Sequence, residues 1–169
     1  MPILNPEHLL DQAERLIASP RAGPARQADI RRAISSAYYS VFHAVLTAAA
    51  DSVAGRVHRG SAAHTLVYRS IEHRTLRSVC ELARRSVLPP AYREHTPTSG
   101  FDRLITGFAK NVLSLQDLRH AADYDPRPRF LTTDAVTAIE LARATLRQWQ
   151  AAPADQRRAL LWLMLFRSR

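Results

Sequence analysis

Arg119, His120, Asp123 and Tyr124 place a permanent cation, an imidazole, a carboxylate and a phenol in one short stretch. An arginine can hold a phosphate through several N–H groups, an imidazole can carry protons near neutral pH, and a carboxylate can orient either. Placement sharpens the point. If the segment from Phe101 to Ala122 is one helix, its apolar stripe is Phe101, Leu104, Ile105, Phe108, Val112, Leu115 and Ala122, and Arg119 falls in the middle of that stripe. Burying an unpartnered guanidinium costs on the order of several kcal/mol, so Arg119 must pair with an acid, reach a polar cavity or bind an anion. Asp123, one turn further on, could be an internal partner.

A second constellation lies on the helix expected over residues 26–50. Ile30, Ile34, Ala37, Val41 and Val45 fall on one side of its wheel, and Arg32, Ser36, Tyr39 and His43 line up along the opposite side. An ordinary wet face would hold Glu, Lys, Gln and Ala. A line of Arg, Ser, Tyr and His carries the donors and aromatic surface of a ligand groove that could take RNA or a nucleotide. The alternative is a Tyr39 and His43 half-buried against a neighbouring helix with their polar atoms satisfied.

These two helices need a scaffold, and the punctuation of the chain supplies one. Asn5-Pro6-Glu7 starts a helix running to about Ala18, and Ser19 to Pro24 breaks it with two prolines and a glycine. The long helix of residues 26–50 follows, then a loop over residues 54–60. Ser61 to about Ser86 reads as one or two helices bent near Glu72-His73, and Pro89 to Gly100 is the most loop-like part of the chain. After the Phe101 helix stops by Pro126, Thr132-Thr133-Asp134 offers an N-cap for a helix to about Gln150. Pro153 sets off a last helix, residues 155–166. No strand-like alternation occurs. The expected fold is all-α: one domain over residues 1–169, an up-and-down bundle of four main helices with residues 26–151 as its core and extra short helices around it.

Composition narrows the function classes. Net charge is +9, which suits a polyanionic partner such as RNA, yet Lys110 is the only lysine and the arginine bias could equally follow genome base composition. The single cysteine, Cys80, excludes an internal disulfide and reads as a buried core residue. His58, His64, His73 and His95 show no metal-ligand spacing, and glycines occur singly, so no metal, cofactor or phosphate loop is expected. The first residues lack a signal-peptide pattern, and no apolar run approaches the roughly 20 residues of a membrane span, which makes a cytoplasmic location the simplest. Ala159 to Phe166 is apolar on every side, so that helix either closes its own bundle or docks on another subunit as a dimer contact.

Two segments together carry a resemblance. Arg31-Arg32-Ala33-Ile34-Ser35-Ser36-Ala37-Tyr38-Tyr39-Ser40-Val41-Phe42-His43 and Leu118-Arg119-His120-Ala121-Ala122-Asp123-Tyr124-Asp125 resemble the "AYYxxFH" and "LRxxADYD" signature helices of the HEPN superfamily, in the same order. The resemblance covers about Asp29 to Tyr124 and implies a HEPN-like bundle. Many members are metal-independent endoribonucleases in which an arginine, a polar residue and, a few positions on, a histidine meet across a homodimer. Arg119 matches the arginine and His120 the polar position, while Tyr124 stands in place of the histidine. The resemblance therefore implies either a toxin-type or defence-type ribonuclease or a non-catalytic module binding a nucleotide or partner. It also implies a nucleotidyltransferase antitoxin as partner, with Tyr124 as the residue it would modify. Tyrosine, ionising near pH 10, is a poor base, so His120 or His43 would have to replace the missing imidazole.

Overall fold

In the computed structural model, which describes residues 4–18, 23–97 and 100–166, the Asn5 side chain accepts the Glu7 N–H at 3.1 Å and opens helix α1, Pro6–Ile17. Residues 19–22 of the break expected at Ser19 to Pro24, and Thr98 and Ser99 of the expected loop, lie outside the described residues. Seven further helices follow: α2 (Gln27–Ala54), α3 (Ala62–Tyr68), α4 (His73–Ala83), α5 (Pro90–Arg93), α6 (Arg103–Tyr124), α7 (Thr132–Ala151) and α8 (Ala154–Leu165). A single 3-10 turn, Arg56–His58, precedes α3, and no strand occurs among the described residues.

The fold is an all-helical bundle built around α2. This helix packs against α1, α3, α6, α7 and α8, and Ile30, Ile34, Tyr38, Val41, Val45 and Ala49 are all buried. Side chains on nearly every face of its middle turns are covered, because a central helix has neighbours all round. Ser36 is consequently buried, Tyr39 and His43 are half-buried, and Arg32 alone of the expected polar stripe is fully exposed. The stripe is a seam facing neighbouring helices rather than a wet face.

Helix α6 follows its expected stripe closely. Asp102 caps it by accepting the Ile105 N–H at 2.8 Å, and Ile105, Phe108, Val112, Leu115 and Ala122 are buried. Each such large apolar side chain contributes about 1.5–3 kcal/mol of burial. α6 lies against α2, α4 and α7, and the Gln148 side chain of α7 rests over Gly107, where an added Cβ would press its amide nitrogen at 3.0 Å. The helix ends at Tyr124, two residues before Pro126.

Elsewhere the boundaries differ in instructive ways. Residues 61–86 form two helices, separated at Arg69 to Glu72 with Glu72 at the N-cap position of α4. Part of the proline-rich segment folds into the short α5. At the start of α7 the cap position is Leu131, which has no side-chain oxygen, and Asp134 accepts the Leu131 N–H at 2.7 Å from within the first turn. α8 packs on α4 and α2 and buries Gln156, Ala159, Leu160, Leu161 and Met164 in its own bundle, leaving Trp162 and Phe166 outward. Cys80 is fully buried, and no helix of the described residues is long and apolar enough to cross a membrane.

Candidate functional site

The connection from α6 to α7 is laced to the first turns of α2. Arg31 donates through Nη1 to the carbonyls of Ala122 at 2.9 Å and Asp125 at 2.8 Å, and through Nη2 to that of Pro128 at 2.6 Å. Its guanidinium also lies over the Phe130 ring, 5.1 Å from the centroid. Gln27 grips Phe130 from both sides, donating to its carbonyl at 2.5 Å and accepting its N–H at 3.1 Å. Carbonyls left over at a helix C-terminus need donors, and a cation there also complements the dipole. Arg31 meets both needs and so sets the position of the last turn of α6.

Arg119 sits one turn before that end and points inward, with its side chain 13% exposed. Its Nη2 donates to the Tyr39 hydroxyl at 2.6 Å and reaches the Tyr124 hydroxyl at 3.4 Å. The guanidinium carbon lies 5.2 Å from the ring centroids of both Tyr39 and Tyr124 and 6.0 Å from that of Tyr38, a cage of aromatic faces around a cation. Nε lies 2.8 Å from Asp123 Oδ2, but its N–H is not aimed at the carboxylate, so Nε is a buried donor in ion-pair contact without a directed hydrogen bond. Asp123 is held in turn by the Ser35 hydroxyl. Burial alone would pull the Arg119 pKa down, but the Tyr39 hydroxyl and the surrounding partners outweigh it and hold it up, so the charge is permanent.

Nη1 of Arg119 makes no hydrogen bond among the described residues, and it is not a buried atom. An inward arginine with an acid beside it and one nitrogen unbonded keeps a donor free for a further acceptor.

The seam behind this cage is aromatic and basic. His43 Nδ1 and the Tyr68 hydroxyl are 2.6 Å apart, and His73 Nδ1 and the Tyr38 hydroxyl 2.8 Å. Both imidazoles are held below the ordinary histidine range: His43 by burial, His73 by burial first and then by Arg119 and His43. Burial pushes the Tyr38 and Tyr68 phenols up, so both remain neutral hydrogen-bonding groups. His64 belongs elsewhere, bonded at 3.1 Å to Asp51, which Arg59 also clasps, in a knot tying α3 to α2.

The structure thus brings Arg119, Asp123, Tyr124, Tyr39 and His43 to one region and buries Ser36 in the α2 seam. Arg32 is exposed, and His120 faces outward with its ring 5.1 Å from that of Tyr124. Two surface depressions of about 540 and 580 Å³ flank Tyr124, which is itself 63% exposed; Arg127 lines both, and Arg119 lines neither. Tyr38, Tyr68, Ser35 and above all His73 join the site without having been singled out as its residues. His73 opens a helix after a break with no glycine or proline, and the phenol it bonds, Tyr38, is 35 positions away, so only tertiary contact could reveal it. No protein-family model, no curated protein and no solved structure matches this chain.

Proposed function

We propose that this chain is a HEPN-like, RNA-binding, metal-independent endoribonuclease of toxin or defence type, acting in the cytoplasm as a homodimer. The observation that carries this reading is the inward Arg119 with Nη1 open and unbonded in the same region as two half-buried imidazoles, His43 and His73. A fixed cation that leaves donors free can hold a phosphate and stabilise the extra charge of its pentacovalent transition state. The +9 net charge supplies long-range attraction for the polyanion.

Incubation of purified protein with total RNA, beside Arg119→Ala, tests it. Cleavage by the parent and its loss in the variant are expected; RNA left intact by the parent would overturn the nuclease reading. A second reading rests on the exposure of Tyr124: a non-catalytic module engaged by a nucleotidyltransferase partner that modifies this phenol. Co-expression with the neighbouring gene should then raise the intact mass at Tyr124, and an unchanged mass counts against it.

A further inference from the structure

His43 and His73 reach the same seam from different helices. Both rings flank Phe42, with centroids 5.9 and 4.0 Å away, and both flank Tyr39, at 6.1 and 5.7 Å. Tyr39 is the residue whose hydroxyl accepts from Arg119. The two imidazoles and the guanidinium therefore surround one phenol ring.

Each imidazole is anchored on one side only. Phenols hold both Nδ1 atoms, whereas neither Nε2 has a hydrogen-bond partner among the described residues, and neither is a buried atom. A phenol that donates to Nδ1 leaves Nε2 as an N–H donor; a phenol oxygen that accepts from Nδ1–H leaves Nε2 as a bare acceptor. Both tautomers keep the ring orientation, so one scaffold can present an acid and a base. His73 shares two rings with Arg119, those of Tyr38 and Tyr39, whereas His43 lies beside Tyr39 and turns to the Tyr68 hydroxyl; a fixed cation beside an imidazole favours its unprotonated, basic form. That asymmetry assigns the roles.

Resting on the RNA-cleaving reading above, we infer that His73 and His43 are the acid–base pair of this site, replacing the histidine absent after Arg119. His73 Nε2 takes the proton of a ribose 2′-hydroxyl as that oxygen bonds to phosphorus, and the P–O5′ bond breaks while protonated His43 gives its proton to O5′. The products are a 2′,3′-cyclic phosphate and a 5′-hydroxyl. His73 ends protonated and His43 neutral, and exchange with water restores both. Arg119 Nη1 contacts a non-bridging oxygen throughout.

Single-turnover cleavage of two RNA substrates tests the assignment, one natural and one with sulfur replacing the bridging O5′, whose departure needs no proton. His73→Gln should slow both substrates by about 10²–10⁴-fold. His43→Gln should slow the natural RNA comparably but cleave the sulfur substrate at close to the parent rate. Parent-like rates in either variant on natural RNA, or no recovery of His43→Gln with sulfur, overturn the pair while leaving RNA cleavage standing. A parent protein that cuts neither substrate removes the RNA-cleaving reading, and the pair falls with it. Should the variants melt early, the parent alone decides. A bound 2′-deoxy analogue should shift both imidazole Cε1–H resonances, and unchanged signals in the complex refute the role.

Discussion

Arg31 and Arg119 both reach the C-terminal end of α6, and they use their donors in opposite ways. Arg31 directs its terminal nitrogens at backbone carbonyls of Ala122, Asp125 and Pro128, fixed acceptors with no other hydrogen-bond donor among the described residues. Arg119 rests among side chains of Tyr39, Tyr124 and Asp123, with Nη1 open. In a chain this rich in arginine, burial alone does not separate a staple from a site. The unbonded donors do.

Exchanging the two roles by mutation gives the largest expected effects. Arg119→Ala should lower the proposed RNA cleavage by about 10²–10³-fold, the loss typical of one preorganised oxyanion donor, with a loss of stability no larger than that caused at Arg31. Arg31→Met should do the reverse, destabilising the fold by about 1–3 kcal/mol in denaturant unfolding because carbonyls at the end of α6 lose their donors. A collapse of stability in Arg119→Ala with Arg31→Met unaffected would invert the comparison.

A smaller effect should come from pH. His43 and His73 titrate below the ordinary value of 6.5 in the folded chain, so in the acid range the unfolded chain binds more protons. The stability contributed by the neutral imidazoles is full above pH 6.5 and is lost as pH falls below it. Melting temperature should drop between pH 7 and 5, and His43→Gln/His73→Gln should flatten that drop relative to the parent. Least of all, Arg127→Ala should leave thermal stability unchanged, since its pairing with Asp125 is exposed to water.

Much of the scaffold was legible because its punctuation is local. Asn5 and Pro126 mark helix ends through effects spanning a few residues, and the expected bounds of α1, α6 and α8 fall within about two residues of those found. The gap between α3 and α4 was harder to place, having no glycine or proline between Arg69 and Glu72. The wheel of α6 placed Arg119 inward because one face of that helix is wet. The wheel of α2 mislocated solvent, since a helix surrounded by five others turns nearly every side toward protein. His73 was invisible for the same reason, since its chemistry is conferred by Tyr38 and Arg119 from distant parts of the chain.

The lacing of Gln27 and Arg31 to Phe130, Asp125 and Pro128 joins stretches about a hundred positions apart. Such non-local closure comes late in folding and during synthesis. A ribosome that has released only the first hundred residues therefore carries α2 with its tyrosines and histidines but no Arg119 to complete them. Any chemistry that needs Arg119 is withheld from the nascent chain until α6 and the turn beyond it have emerged and docked.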